Sequence, residues 1–128
     1  MTAATRRYAQ AERETASPER LMVLLFQAAL RNMRNGATAL ETGKLGEAGR
    51  VLGRASDIVM ELHRTLDRPK APELCDRLGE VYRFVTRHLG AAVLSRDPRT
   101  AREAERVLRP IAEAFETAVA SLAAQRKR

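Results

Sequence analysis

Residues 45–66 read LGEAGRVLGRASDIVMELHRTL, and the spacing of the apolar residues within them decides the class of fold. Successive apolar positions are three or four residues apart. This spacing is typical of an α-helix that packs one face against a neighbour. The positions that set this pattern are Leu45, Ala48, Leu52, Ala55, Val59, Leu62 and Leu66. No stretch of the sequence alternates apolar and polar residues over several positions, so the sequence predicts helices and no sheet.

Prolines mark where the other long helices begin. Ser17 can cap the first of them, and Pro18 fits its first position because the backbone N–H there has no partner within the helix. This helix is predicted to continue to about residue 42. Another helix is predicted over residues 72–95. The last is predicted over residues 97–124, where an aspartate followed by a proline repeats the same kind of start.

Four helices joined by short connections predict an all-α fold, an antiparallel up-down four-helix bundle. Residues 17–125 are expected to form the helical bundle, and residues 126–128 a basic tail. Residues 1–16 are mostly polar and cannot hold a stable helix alone, so they are expected to dock as an additional short helix or lid segment. The side chains expected in the core are Leu52, Val59, Leu62, Leu78, Val85, Leu108, Ile111 and Phe115.

Composition narrows the possible functions of the chain. Its 128 residues are enough for one domain, and 23 basic against 16 acidic residues give a formal charge of +7. The single Cys75 cannot form an internal disulfide, and His63 and His88 have no companion at metal-ligand spacing. No catalytic residue, cofactor or metal site is predicted. No apolar run approaches the roughly 20 residues that a membrane span needs.

The glycines at positions 43, 46, 49 and 53 look superficially like a nucleotide-binding motif. They follow no predicted strand, and no Lys-Ser/Thr pair comes after them, as a phosphate-binding loop requires. We therefore expect a helix with a small face that lets a neighbour approach closely.

Several motifs follow one another in an order that resembles the FliS-type flagellar export chaperones. Tyr8 stands in a short N-terminal segment, residues 15–21 read TASPERL, and Leu24-Leu25-Phe26 follows in the first long helix. The later segments similar to the family are residues 55–62, 78–89 and 103–115. The resemblance covers nearly the whole chain. Pro110 is not typical of the family, and Phe115 stands where its members usually have tryptophan.

The resemblance implies a cytoplasmic chaperone that is not an enzyme and has no cofactor. Family members bind the disordered C-terminal segment of flagellin, prevent its premature polymerisation and pass it to the flagellar type III export apparatus. Flagellin, export-apparatus components and a second copy of the chain are therefore the expected partners. The residues expected to bind the client or to act as a lid are Tyr8, Leu21, Leu24, Leu25, Phe26 and Tyr82.

The role of Tyr8 has alternatives at this stage. In the family, the N-terminal tyrosine segment covers an apolar pocket while the client is absent, which makes Tyr8 a lid residue. A tyrosine has a large apolar body with a polar tip, which suits a contact that must be reversible. Three alternatives stay open: Tyr8 is a permanent core residue, it is merely disordered, or it contacts the client directly.

Two other functions fit the same composition. A basic helical protein could bind nucleic acid through Arg31, Arg34 and residues 126–128. Nucleic-acid-binding surfaces usually combine basic residues with aromatic residues on which bases stack. The five aromatic residues of this chain are scattered within apolar stretches, so the stacking residues are missing. A dimeric adaptor is the other alternative. Phosphate binding weakens steeply with salt, whereas binding of apolar segments does not, so salt dependence distinguishes nucleic-acid binding from client binding.

Overall fold

Four α-helices make up most of the structure, a computed structural model that describes residues 2–3 and 17–127. The helices are α1 (Pro18–Glu41), α2 (Leu45–Arg64), α3 (Pro72–Ser95) and α4 (Pro98–Arg126). The described residues contain no strand. The predicted all-α class and its four long helices are confirmed. Tyr8 and most of the expected lid segment lie outside the described residues.

Two of the helix starts follow from side-chain caps that the sequence contains. The Ser17 hydroxyl accepts a hydrogen bond from the backbone N–H of Arg20 at 3.1 Å. The Asp97 carboxylate accepts one from the backbone N–H of Arg99 at 2.9 Å. Each bond satisfies a donor that has no partner within the helix. After α1, Gly43 takes a φ of 75°, the left-handed conformation that favours glycine and ends a helix.

The helices alternate in direction and form a ring. α1 packs against α2 and α4, and α3 packs against the same two helices. Glu41 at the end of α1 pairs with Arg102 near the start of α4, whereas Glu19 at the start of α1 pairs with Arg126 at the end of α4. These two ion pairs show that α1 and α4 run antiparallel along their whole length, as in an up-down bundle.

The core lies between the four helices and consists mainly of aliphatic side chains. Five of the eight side chains expected there are fully buried: Leu52, Val59, Leu62, Val85 and Leu108. Leu78, Ile111 and Phe115 are half-buried and pack against the edge of the core. The apolar face of a helix is wider than the part of it that is buried. It therefore includes side chains at the edge of the core, where they are partly exposed to water between two helices.

Helices α1 and α2 approach closely at Gly36. A Cβ atom at this position would overlap the Cγ and Cδ2 atoms of Leu52, so the contact depends on the missing side chain of glycine. The sequence predicted a close approach at the glycines of α2 instead. A Cβ atom at Gly46, Gly49 or Gly53 would meet no described atom within 4 Å. That prediction is wrong, since these three glycines face open space.

Helix α4 continues through Pro110 and ends two residues later than predicted, at Arg126. Pro110 is exposed. Because proline has no backbone N–H, the carbonyl of Arg106 lacks its usual helical donor. The exposed position leaves that carbonyl on the side of the helix where water can replace the lost bond. The first residue of the predicted basic tail, Arg126, thus belongs to the helix.

Candidate functional site

An open groove lies where the start of α1 meets the end of α4, and we call it the end groove. Its volume is about 500 Å³. Apolar side chains of α4 form its floor, and charged side chains of both helices stand at its rim. The lining residues are Ser17, Glu19, Arg20, Glu116, Val119, Ala120, Leu122, Ala123, Arg126 and Lys127.

The end groove exists because α4 extends beyond the part of the bundle that can bury it. α4 has 29 residues, compared with 24 in α1, 20 in α2 and 24 in α3. Its last buried side chain is that of Ala112, and none is fully buried in residues 113–126. The apolar stripe nevertheless continues, and Leu122 is left 43% exposed. A helix face of this kind is able to receive an additional apolar partner.

Polar contacts between α1 and α4 hold the rim of the end groove in place. Arg126 Nη2 lies 3.4 Å from Glu19 Oε1. A backbone hydrogen bond, together with the hydrogen bond from Arg126, lowers the pKa of Glu19. Towards the middle of the bundle, Gln27 Nε2 donates to Glu116 Oε1 at 3.3 Å. These contacts join the two helices on either side of the floor without covering its apolar side chains.

Four of the predicted site residues lie on the first three turns of α1. Leu21 is 50% exposed, and Leu24 and Leu25 are half-buried. Phe26 is buried, and its ring centroid lies 5.6 Å from that of Phe115. None of the four lines the end groove directly. Phe26 supports the groove through Phe115, which precedes the floor by about one helical turn.

Tyr82, another predicted site residue, lies between α2 and α3. It is 2% exposed, and its ring centroid lies 5.9 Å from that of His63. Burial raises the pKa of Tyr82 to about 12. The structure therefore places Tyr82 in the core and separates it from the end groove, whose lining comes from α1, α4 and their flanking residues.

A second cavity of about 500 Å³ opens near His63 and Cys75, and its walls are more polar. Arg68 donates hydrogen bonds of 3.0 and 3.2 Å to the two carboxylate oxygens of Asp76. These bonds lower the pKa of Asp76. Glu80 and Arg83 also line this cavity. Because its walls are so polar, the end groove is the better candidate for binding an apolar segment.

Sequence reasoning missed the floor of the end groove. Val119, Ala120 and Ala123 were not candidates, because alanine is common on both buried and exposed helix faces. A signal was present in the apolar stripe of the last helix, which continues through Leu122. Recognising a groove from it requires the relative lengths and alignment of α1 and α4, which a single helical pattern does not contain.

Metal-binding clusters and membrane-spanning helices are both absent from the described residues. Residues 2–3 and 17–127 contain no group of three or more His, Cys, Asp or Glu side chains that could hold a metal ion. Among these same residues, no helix is both long and apolar enough to cross a membrane. The end groove offers an apolar floor with charged groups around it, an arrangement that fits one side of an amphipathic peptide.

Comparisons with known proteins agree on one family. Residues 1–122 match the family model described as flagellar protein FliS. The chain is 34% identical over 113 residues to the flagellar secretion chaperone FliS of Salmonella typhimurium, and the match covers 84% of each chain. It is 29% identical over 114 residues to the flagellar secretion chaperone FliS of Bacillus subtilis, covering 89% of this chain and 84% of that one. A crystal structure of a bacterial flagellar chaperone has the same fold, with a TM-score of 0.74 and 20% identity over 92% of this chain and 96% of that chain.

Proposed function

Because the chain belongs to the FliS family of flagellar proteins, we propose that it is a cytoplasmic export chaperone for flagellin. It binds the disordered C-terminal segment of flagellin, prevents premature polymerisation and aids flagellar type III export. Holding and releasing a segment are binding events, so the proposal requires no catalytic group or cofactor. Flagellin is the client, and components of the export apparatus receive it.

The end groove is the observation that carries this proposal. Ala120 and Ala123 are small enough for a helical client segment to approach the axis of α4 closely. Val119 and Leu122 provide larger apolar side chains beside them, and burying such surface contributes about 25 cal/mol per Å². A disordered segment loses roughly 2–5 kcal/mol to ordering as it binds. The net affinity is therefore moderate for the area covered, which allows release at the export apparatus.

Leu122 provides the sharpest test of the end groove. Leu122→Glu places a charge on the apolar floor, and since the side chain is already 43% exposed, the core should stay intact. Calorimetric titration with a flagellin C-terminal segment should then show affinity weakened about ten-fold, equivalent to about 1.4 kcal/mol.

Leu94→Glu is the matched control for this test. Leu94 is 88% exposed near the end of α3, at the opposite end of the bundle, and the substitution introduces the same charge. Its affinity for the segment should equal that of the parent. Equal affinities for the parent and both variants would show that the end groove is not the client site.

We also propose that the segment before Ser17 acts as a lid, with Tyr8 as its anchor. Ser17 itself lines the end groove, so the segment before it is covalently joined to the bundle at this site. The sequence of residues 5–14 is too polar and too short to form a stable helix alone, and its order depends on docking. If Tyr8 occupies the apolar floor, the client must displace it before binding.

The lid and a direct client contact predict effects of opposite sign. Tyr8→Ala, or removal of residues 1–14, should tighten binding of the flagellin segment because no lid has to be opened. If Tyr8 contacted the client instead, both changes would weaken binding. Calorimetry on the parent and the two variants measures the sign directly. Unchanged affinity in both variants would show that the segment has neither role.

A further inference from the structure

A cluster of arginines lies on the outer side of α1 and α4, and it extends from the end of the bundle opposite the end groove to the middle of the bundle. We propose that this surface is a docking site for an acidic protein, distinct from the client groove. We call it the arginine face, and it consists of Arg31, Arg34, Arg99, Arg102, Arg106 and Arg109.

The spacing of the arginines along α4 places them on one side of the helix. Arg99, Arg102, Arg106 and Arg109 are separated by three, four and three residues, so they form a single row about 15 Å long. Arg102 Nη2 lies 2.6 Å from Glu41 Oε1 of α1. This ion pair shows that the row lies on the side of α4 that faces α1.

α1 contributes the other two arginines of the face. Arg34 Nη1 lies 3.3 Å from Glu105 Oε1, and Arg109 Nη2 lies 3.2 Å from the same oxygen. This shared carboxylate fixes Arg34 beside the row on α4. Arg31 is exposed about one turn earlier on α1. The six guanidinium groups therefore belong to one continuous surface rather than to two separate helices.

The arginine face keeps an excess of positive charge after its internal ion pairs are considered. The carboxylates of Glu41, Asp97 and Glu105 form its ion pairs, and the charge of Glu103 also acts on Arg99, so four carboxylates stand against six arginines. The side chain of Glu105 is only 8% exposed and serves two arginines at once. Arg31 and Arg106 are exposed and form no ion pair with any described residue. Acidic groups of a partner would find these charges uncompensated and partly oriented in advance.

The composition of the face favours a protein partner over nucleic acid. The four aromatic side chains in the described part of the chain are buried or half-buried, so none is available for bases to stack on. Glu41 is 45% exposed within the face. It would repel a phosphate backbone, whereas a protein surface of mixed charge can donate a hydrogen bond to it. An acidic helix with a few basic or amide groups has the complementary chemistry.

The position of the face leaves the end groove accessible. Arg109, the arginine of the face nearest to the end groove on α4, precedes Val119 by 10 positions, which corresponds to about 15 Å along a helix. An acidic partner on the arginine face and a client segment in the end groove would therefore occupy different parts of α4. The two binding events can be measured independently, so either proposal can fail alone.

The test uses the full chain and a labelled, alanine-based helical peptide of about 15 residues, with four glutamates on one face at the same three-four-three spacing. A composition-matched peptide with its glutamates spread around the helix serves as the first control. Fluorescence anisotropy should show that the one-faced peptide binds more tightly, with an affinity that falls as salt is added. No measurable binding of the one-faced peptide, or equal binding of both peptides, would overturn the proposal.

Charge-reversal variants then locate the site. Arg31→Glu with Arg106→Glu should weaken binding of the one-faced peptide about ten-fold or more. Arg54→Glu with Arg87→Glu is the matched control, because these two arginines are exposed on α2 and α3, form no ion pair with described residues and change the net charge equally. Equal losses in both double variants, or tighter binding of duplex DNA that is lost in the first variant, would refute docking of an acidic protein on this face. Both double variants should retain binding of the flagellin segment.

Discussion

Replacing Gly36 with alanine tests the packing of α1 against α2. In an open helix position the change would stabilise the protein by about 1 kcal/mol, because glycine is the poorer helix former. At Gly36 the new Cβ atom would overlap Cγ and Cδ2 of Leu52, a side chain that is 1% exposed. Overpacking of a core costs about 1–3 kcal/mol, and overlap with the branch point of Leu52 belongs at the upper end of that range. The expected net loss is about 2 kcal/mol.

Gly53→Ala is the matched comparison in the same bundle. Gly53 lies within α2, and a Cβ atom there would meet no described atom within 4 Å. Only the helix propensity should then change, and Gly53→Ala should stabilise the protein by up to about 1 kcal/mol. Urea unfolding followed by circular dichroism gives both free energies. The same chemical change is thus expected to have opposite signs at Gly36 and Gly53.

A double variant shows whether Leu52 is the cause. Leu52→Ala alone removes a buried side chain and should cost about 2–5 kcal/mol. In combination with Gly36→Ala it also removes the overlapping atoms, so the second change should add little or no further loss. If Gly36→Ala is as stable as the parent, or if its cost adds fully to that of Leu52→Ala, the argument for a close contact at this position is refuted.

Three other predictions concern the core and one shared ion pair. Leu62→Ala and Leu108→Ala should each lower the free energy of unfolding by about 2–5 kcal/mol, and losses below about 0.5 kcal/mol at both sites in urea titrations would contradict the described core. In a Tyr8→Phe variant, spectrophotometric titration should give Tyr82 an ionisation midpoint of about 12. Since folding raises the pKa of Tyr82, its contribution to the free energy of unfolding should be fully present below about pH 10 and should be lost as the pH rises towards 12. A midpoint near 10 in the folded protein would be inconsistent with the burial of Tyr82. Glu105→Gln should cost roughly 1–2 kcal/mol in thermal or urea unfolding, because a buried acceptor shared by two half-exposed arginines loses its charge, and an unchanged stability would show that these contacts contribute nothing.

The elements of the fold could be predicted because their signals are local. Ser17 and Asp97 cap the helices that follow them, and prolines at the first helical positions mark the same starts. Apolar residues at alternating spacings of three and four identified the face that α2 buries. These patterns do not require any knowledge of which helices are neighbours.

The features that escaped prediction depend on how two helices are aligned. The contact of Gly36 with Leu52 depends on the register of α1 against α2, which neither helix pattern contains. The glycines of α2 looked more suitable for a close approach, yet they are on its open side. Likewise, the burial of Glu105 between Arg34 and Arg109 depends on the alignment of α1 with α4.

The sequence did not predict the floor of the end groove. Leu21 to Phe26 lie near the end of α1 that borders this groove, but its floor is formed by residues 119–123 of α4. Tyr82 was selected from its motif, although its position on α3 directs it into the core beside α2. A site formed by the uneven ends of helices follows from their relative lengths, and small residues such as Ala120 and Ala123 give little sign of it.

The poorly buried end of α4 should open locally, whereas the buried part of the same helix should open only when the whole bundle unfolds. Residues 113–126 contain no fully buried side chain, so they can unwind with the loss of only one contact at the edge of the core, that of Phe115 with Phe26. Their amide hydrogens should exchange with deuterium through local opening, faster than those around Leu108, which require disruption of the bundle. Pro110 lies near the border between the two regions and has no amide hydrogen of its own. A client in the end groove should therefore slow exchange in the last turns of α4 while leaving the slowest-exchanging amides of the core almost unchanged.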